Sequence, residues 1–229
     1  MNKLAIKLFL VLFCSNIWAV PSSNQVMEVL QGGDNKKIES IAMEVLENNT
    51  SVDSLTLLLT VSATMMLEKF EDSAFLYYVA RARHVEDRAN FPPAGKGGNS
   101  PSTLFGAVAS NMPIAFNPLI SKDPSVMLGI AKRIEAWRPL TKTDYSPGWE
   151  YEERKMETEK YKGVITGTVK YLQDVSKMLE NSEYQSLLEE FRVYSQNPKQ
   201  DDSKYFVDLS NRGQQFEENW GTKFIFHQY

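Results

Sequence analysis

The sequence predicts an all-α protein, a single globular bundle of about seven or eight helices packed as antiparallel hairpins. Three observations predict it. Apolar residues recur at three- and four-residue spacing along most of the chain. Capping residues (Asp34, Asp53, Asp123) stand just before several of these runs. No clear apolar–polar alternation of strand length is present, and no hairpin dipeptide joins two such stretches. No repeat of fixed period is visible either.

Residues 1–19 come before the bundle and have the layout of a secretory signal peptide. Lys3 and Lys7 give a positive start, Leu8 to Cys14 an apolar run, and Ile17-Trp18-Ala19 a cleavage site ending in a small residue. The apolar run is far short of the roughly 20 residues that span a bilayer. Cys14 follows Phe13, which is bulky where a lipid-attachment box wants a small residue, so a lipoprotein is not predicted. Export to a bacterial periplasm or to the medium is expected, with residues 20–229 as one mature domain. No integral membrane segment is expected after cleavage. Removing Cys14 leaves no cysteine, which excludes disulfides, thiol nucleophiles and cysteine metal sites. Losing Lys3 and Lys7 takes the formal charge from −4 to −6. An acidic chain has no electrostatic footprint for nucleic acid.

The elements follow in order. A short helix over 24–31 is stopped by Gly32-Gly33. Asp34 caps the next, in which Ile38, Ile41, Ala42, Val45 and Leu46 keep helical spacing to Glu47. Asp53 or Ser51 caps a helix over 53–69, whose uncharged middle, Ser54 to Leu67, predicts burial on most sides. Glu71-Asp72 open a helix to Asn90, with Phe75, Tyr78, Ala82, Val85 and Ala89 as its core face. Residues 91–101 are a loop rich in glycine and proline.

Residues 100–121 carry no charge, and Pro113 and Pro118 forbid one regular helix there. A helix over 102–111, a break and a short helix or turn are expected. Pro124 starts a helix to Trp137, with Val126, Ile130, Ile134 and Trp137 along one side. After a loop over 140–148, a long helix is predicted from Trp149 to Leu179, supported by Glu150–Arg154 and Lys155–Glu159 at i, i+4. Gly163 and Gly167 predict a bend within it. Residues 182–196 and 205–219 are the last helices, and Phe224 to Tyr229 form an aromatic tail.

Few residues suit catalysis. The two histidines, His84 and His227, lie far apart, and no zinc spacing exists. There is no nucleophile elbow. Gly95-Lys96-Gly97-Gly98 lacks the strand and the Lys-Ser/Thr of a phosphate loop. No catalytic residue, metal or cofactor is predicted. Two clusters remain. Tyr77, Arg81, His84 and Arg88 fall at i, i+4, i+7 and i+11, a polar, cationic stripe that suits an acidic partner or a carboxylate ligand. Alternatively, Glu86, Asp87 or a neighbouring helix pairs it internally. Asn111 and Asn117 stand among apolar residues beside prolines, either capping backbone groups that the prolines leave open or lining a groove.

The helix pair over 53–90, with Ala74, Tyr77, Tyr78 and Ala82 on its second helix, resembles a tetratricopeptide or Sel1-type unit. Residues 53–138 resemble a family of uncharacterised exported bacterial proteins. The likeness lies in Ala74-Phe75-Leu76-Tyr77-Tyr78 with Arg81 and Arg83, in Gly106 with Asn111-Met112-Pro113 and Asn117, and in Ile134-Glu135-Ala136-Trp137. It implies a signal peptide and a helical body and brings no catalytic residue.

The sequence therefore points to an exported, non-enzymatic protein that binds another protein. One form is an immunity-type protein whose acidic surface meets a basic effector. A second is a chaperone-like or structural envelope factor gripping an extended peptide. A third is a hydrolase working from Tyr77, Arg81, His84 and Asn111. Intact-mass spectrometry of the protein recovered from an expressing bacterium's envelope or medium should show a chain beginning at Val20. A recovered chain that keeps Met1 would contradict cleavage.

Overall fold

The computed structural model describes residues 20–94, 101–110, 112–140, 145–155, 159–196 and 203–226. The predicted signal peptide, Gly95 to Gly98, Asn111 and His227 lie outside them. The described residues form helices: α1 (Ser23–Gly32), α2 (Asn35–Glu47), α3 (Ser54–Met66), α4 (Phe70–Asn90), α5 (Pro101–Ala109), α6 (Met112–Ile120), α7 (Pro124–Ala136), α8 (Tyr161–Leu179), α9 (Ser182–Gln196) and α10 (Ser203–Asn219). The strand-like geometry among these residues is a single antiparallel bridge between Pro93 and Tyr151.

Local chemistry explains the ends. The Ser22 hydroxyl accepts the N–H of Gln25, whose side chain reaches back to Ser22, a reciprocal cap for α1. Gly33 ends that helix in the left-handed conformation, at φ 66°. Asp34 and Asp53 each accept two backbone N–H groups at the starts of α2 and α3. Pro113 takes the second position of α6, where no N–H is needed, and Pro118 lies inside that helix. The stretch Thr103–Ile120, which α5 and α6 cover, is long and apolar enough for a membrane span by length and composition alone.

Helix α4 is the centre of the bundle and packs on α3, α6, α7 and α8. Residues 73–80 are all buried as a result. α1 and α2 cover α3, α7 lies against α8, and α9 pairs with α10. The predicted core face of α4 holds at Phe75, Tyr78 and Ala82 and fails at Val85, which is 41% exposed. The C-terminal half of α4 buries Arg83, Glu86, Asp87 and Asn90 instead.

The second departure from the sequence explains the first. The predicted helix from Trp149 begins only at Tyr161, and residues 150–155 run extended beside the end of α4. The Glu150 carbonyl accepts the Ala94 N–H at 2.9 Å, and the Lys155 N–H donates to the Asn90 carbonyl at 2.7 Å. Trp149 Nε1 donates to the Phe91 carbonyl at 2.8 Å. These bonds compete with helix formation and win, so the expected pairs of Glu150 with Arg154 and of Lys155 with Glu159 have no helix to sit on. Arg154 lies over the Phe91 ring, and Glu159 pairs with Lys162.

This strap, counted from Tyr145 to Lys155, covers a buried ion pair. Arg83 Nε is 3.1 Å from Asp87 Oδ1, and both side chains are almost wholly out of solvent. Tyr145 from the strap donates to Asp87 Oδ2 at 2.6 Å and accepts from Arg83 Nε at 2.8 Å. Arg83 also reaches the Leu140 carbonyl at 3.3 Å. Glu86 accepts the Asn90 amide and the backbone N–H of Tyr161. Lys160 gives α8 no side-chain cap, so Glu86 supplies an anion to the first turn of α8.

The C-terminal segment docks on the bundle as well. Phe224, Ile225 and Phe226 are buried, and the buried Glu217 carboxylate accepts the N–H of all three. Tyr184 donates to the same carboxylate at 2.6 Å. The Phe226 ring lies so close to Gly213 that a Cβ there would stand 2.1 Å from it.

Burial pushes the Asp87 carboxyl up to about 7, with Arg83 and Tyr145 pulling it back. The unfolded value is near 3.8, so the stability Asp87 contributes is complete below that pH and is lost as pH rises through about 7. Between pH 5 and pH 8 the wild type should therefore lose more unfolding free energy than Asp87→Asn in denaturant titrations. Parallel pH profiles would contradict this. Arg83→Leu, which leaves the buried carboxylate without its cation, should cost about 3–5 kcal/mol at pH 8.

Candidate functional site

A groove of about 530 Å³ opens where α4, α6, α8 and the C-terminal segment meet. Tyr77, Tyr78 and Arg81 come from α4, Pro113 and Asn117 from α6, Gly163, Val164, Gly167, Thr168 and Tyr171 from α8, and Lys223 from the segment after α10. Each element has a reason to be there. Tyr77 is held by edge contact with Phe116 of α6, at 5.4 Å between ring centres. Arg81 is exposed one turn later, where the cover over α4 ends, and lies 5.8 Å from the Tyr77 ring centre. Tyr171 donates to the Lys223 carbonyl at 3.0 Å. The grip of Glu217 on residues 224–226 thus places Lys223 at the rim.

The lining has a distinct chemistry. Among the described residues it holds two cations, Arg81 and Lys223, and no carboxylate, in a chain whose net charge is −4. Burial raises the Tyr77 phenol above its ordinary range, although Arg81 draws it down, and burial also raises Tyr78 and Tyr171. All three phenols are therefore neutral hydrogen-bonding groups at physiological pH. Gly163 and Gly167, one turn apart on α8, are exposed and leave gaps beside Val164, Thr168 and Tyr171 on that wall. Asn117 is 1% exposed. Its Nδ2 points to the Phe224 carbonyl at 3.5 Å, and its Oδ1 has no partner among the described residues.

The structure brings together Tyr77, Arg81 and Asn117 of the residues singled out from sequence. Asn111 lies outside the described residues. His84 and Arg88 share a helix with the groove but do not line it. His84 stacks on Phe105 at 4.0 Å, meets Trp149 edge-on at 5.8 Å and has Nδ1 3.3 Å from the Ser54 hydroxyl. Burial, aided by the charge of Arg88, pushes its imidazole down to about 4. It is therefore neutral near pH 7, so the stripe's charge is that of Arg81 and Arg88. Arg88 is exposed.

Glu86 and Asp87 turn inward to Tyr161, Asn90, Arg83 and Tyr145, so they are not the surface partners the stripe could have had. The Asn117 amide turns to the Phe224 carbonyl, and the Ser121 hydroxyl donates to the Pro118 carbonyl.

The sequence missed Tyr171 and Lys223 as groove residues. The one signal for that wall was the Gly163/Gly167 spacing, which fits open helix surface as well as the expected bend. Chemically, the groove can bind an anion and hydrogen-bond a chain. Its lining offers no histidine and no carboxylate for proton transfer. The Ser54–His84 contact lies elsewhere, and Ser54 is fully buried. Among the described residues no cluster could hold a metal ion.

Comparison with known proteins gave no match to a family model, a curated protein or a solved structure.

Nothing lies within 4 Å of where a Cβ would stand at Gly163 or Gly167. Replacing either glycine by alanine should stabilise α8 by about 0.5–1 kcal/mol, read from denaturant midpoints. A loss of stability would contradict an open wall.

Proposed function

We propose that this is an exported, non-enzymatic binding protein that holds a segment of another protein in the α4–α8 groove. The observation that carries this reading is the lining itself, which among the described residues has two cations, three neutral phenols and no carboxylate on a net acidic chain. Such a surface attracts anionic groups and repels none of them. The phenols add flat apolar area and hydrogen-bonding groups at low entropic cost, as aromatic residues do at binding surfaces. The gaps at Gly163 and Gly167 let an extended backbone approach α8. This favours gripping a peptide segment over meeting a basic effector at this face, because a basic partner would face Arg81 and Lys223. A groove lined by Tyr77 and Arg81 also suits the peptide-gripping envelope factor better than a hydrolase, since His84 stands outside it.

The test is affinity capture from the protein's own envelope extract, comparing wild type with the doubly reversed Arg81→Glu/Lys223→Glu protein. Both side chains are exposed, so the variant should fold. A stoichiometric protein partner should be retained by wild type and lost by the variant. A partner retained equally by both would place binding elsewhere and overturn the assignment of the groove.

A further inference from the structure

Asn117, one of the residues lining the groove, carries a buried acceptor that no described residue satisfies. Asn117 Oδ1 is out of solvent and without a hydrogen-bond partner, on a side chain only 1% exposed. The orientation of the amide is settled by its other end, because Nδ2 faces the Phe224 carbonyl, which can only accept. A buried acceptor left empty is costly, so a site that presents one calls for a donor from outside. The same groove presents Arg81 and Lys223, neither of which has an ion-pair partner among the described residues. The guanidinium of Arg81 suits a carboxylate through forked hydrogen bonds.

Both groups line one groove. Arg81 lies four residues beyond Tyr77, about 6 Å along the helix. Tyr77 touches Phe116, the neighbour of Asn117. A ligand serving both must offer a carboxylate and an N–H group, as the end of a peptide does. A volume of about 530 Å³ falls in the range of small-ligand sites and takes a chain end rather than a helix.

We propose, resting on the peptide-binding reading above, that the groove recognises the C-terminal end of a peptide. The terminal carboxylate lies between Arg81 and Lys223, and a nearby backbone amide donates to Asn117 Oδ1. The open wall at Gly163 and Gly167 receives the last side chain. Recognition is of the chain end and its polarity, with broad tolerance of sequence.

The test uses the mature protein and a fluorescein-labelled pool of random-sequence nonapeptides. The pool is made once with free C-terminal carboxylates and once with C-terminal amides, and binding is followed by polarisation. The free-acid pool should bind about ten-fold more tightly. Arg81→Gln should abolish that preference, as should Arg81→Gln/Lys223→Gln, with an unchanged thermal melt showing that the fold is intact. Equal binding of the two pools would overturn recognition of the chain end and leave peptide binding standing. Binding of neither pool would overturn both. A preference that survives in the double variant would show that the carboxylate is held elsewhere, and would overturn the placement.

Discussion

The enclosure of α4 governs the rest of this structure. Four helices pack on it, and from Ser73 to Ala80 no side chain of α4 is left exposed. A helix covered on all sides usually has to be apolar all round. This one is not, because its second half carries Arg83, Glu86 and Asp87. Burying those groups is tolerable only where each finds a partner. Arg83 and Asp87 find one another one turn apart, Tyr145 closes the pair, and Glu86 is met by Asn90 and Tyr161. The strap over residues 145–155 and the start of α8 are therefore tied to α4 by polar bonds rather than by oily contact. Such a network is costly to break at any one member, and it specifies a single arrangement of the strap.

The groove follows from where that cover stops. Tyr77 is inside, Arg81 one turn later is outside, and α8 crosses beside them with two glycines facing the opening. The far rim depends on a second buried carboxylate. Glu217 gathers three consecutive backbone N–H groups and so holds the C-terminal segment against the bundle. Gly213 leaves room for the Phe226 ring that locks the segment in place. Both devices use a buried acid to order chain that has no regular structure of its own. Together they bring a guanidinium, an ammonium and three phenols to one cleft.

Much of the fold was legible because it rests on local signals. The caps at Asp34, Asp53 and Asp123 and the apolar spacing in α2, α7 and α9 act over a few residues, and the structure keeps them. The proline-broken stretch also resolved as expected, into α5 and α6. What failed was decided at long range. Helical spacing over 149–155 lost to hydrogen bonds with residues 90–94, which no local pattern announces. Val85 was assigned to the core because it is apolar and correctly spaced, yet the strap covers the polar side of α4 instead. Of the site, Tyr77, Arg81 and Asn117 were found from sequence. Periodicity groups the first two, and an amide among apolar residues marks the third. Lys223 could not be found, because its place depends on the docking of a tail some 140 residues away from Arg81.

Chemical-shift mapping tests the central claim most directly. Isotope-labelled mature protein would be titrated with the free-acid nonapeptide pool. If the groove is the binding site, the largest amide shifts fall on residues 77–81, 113–117, 163–171 and 223. Shifts gathered instead on α9 and α10, or on the exposed apolar positions Leu104 and Leu119, would contradict the account.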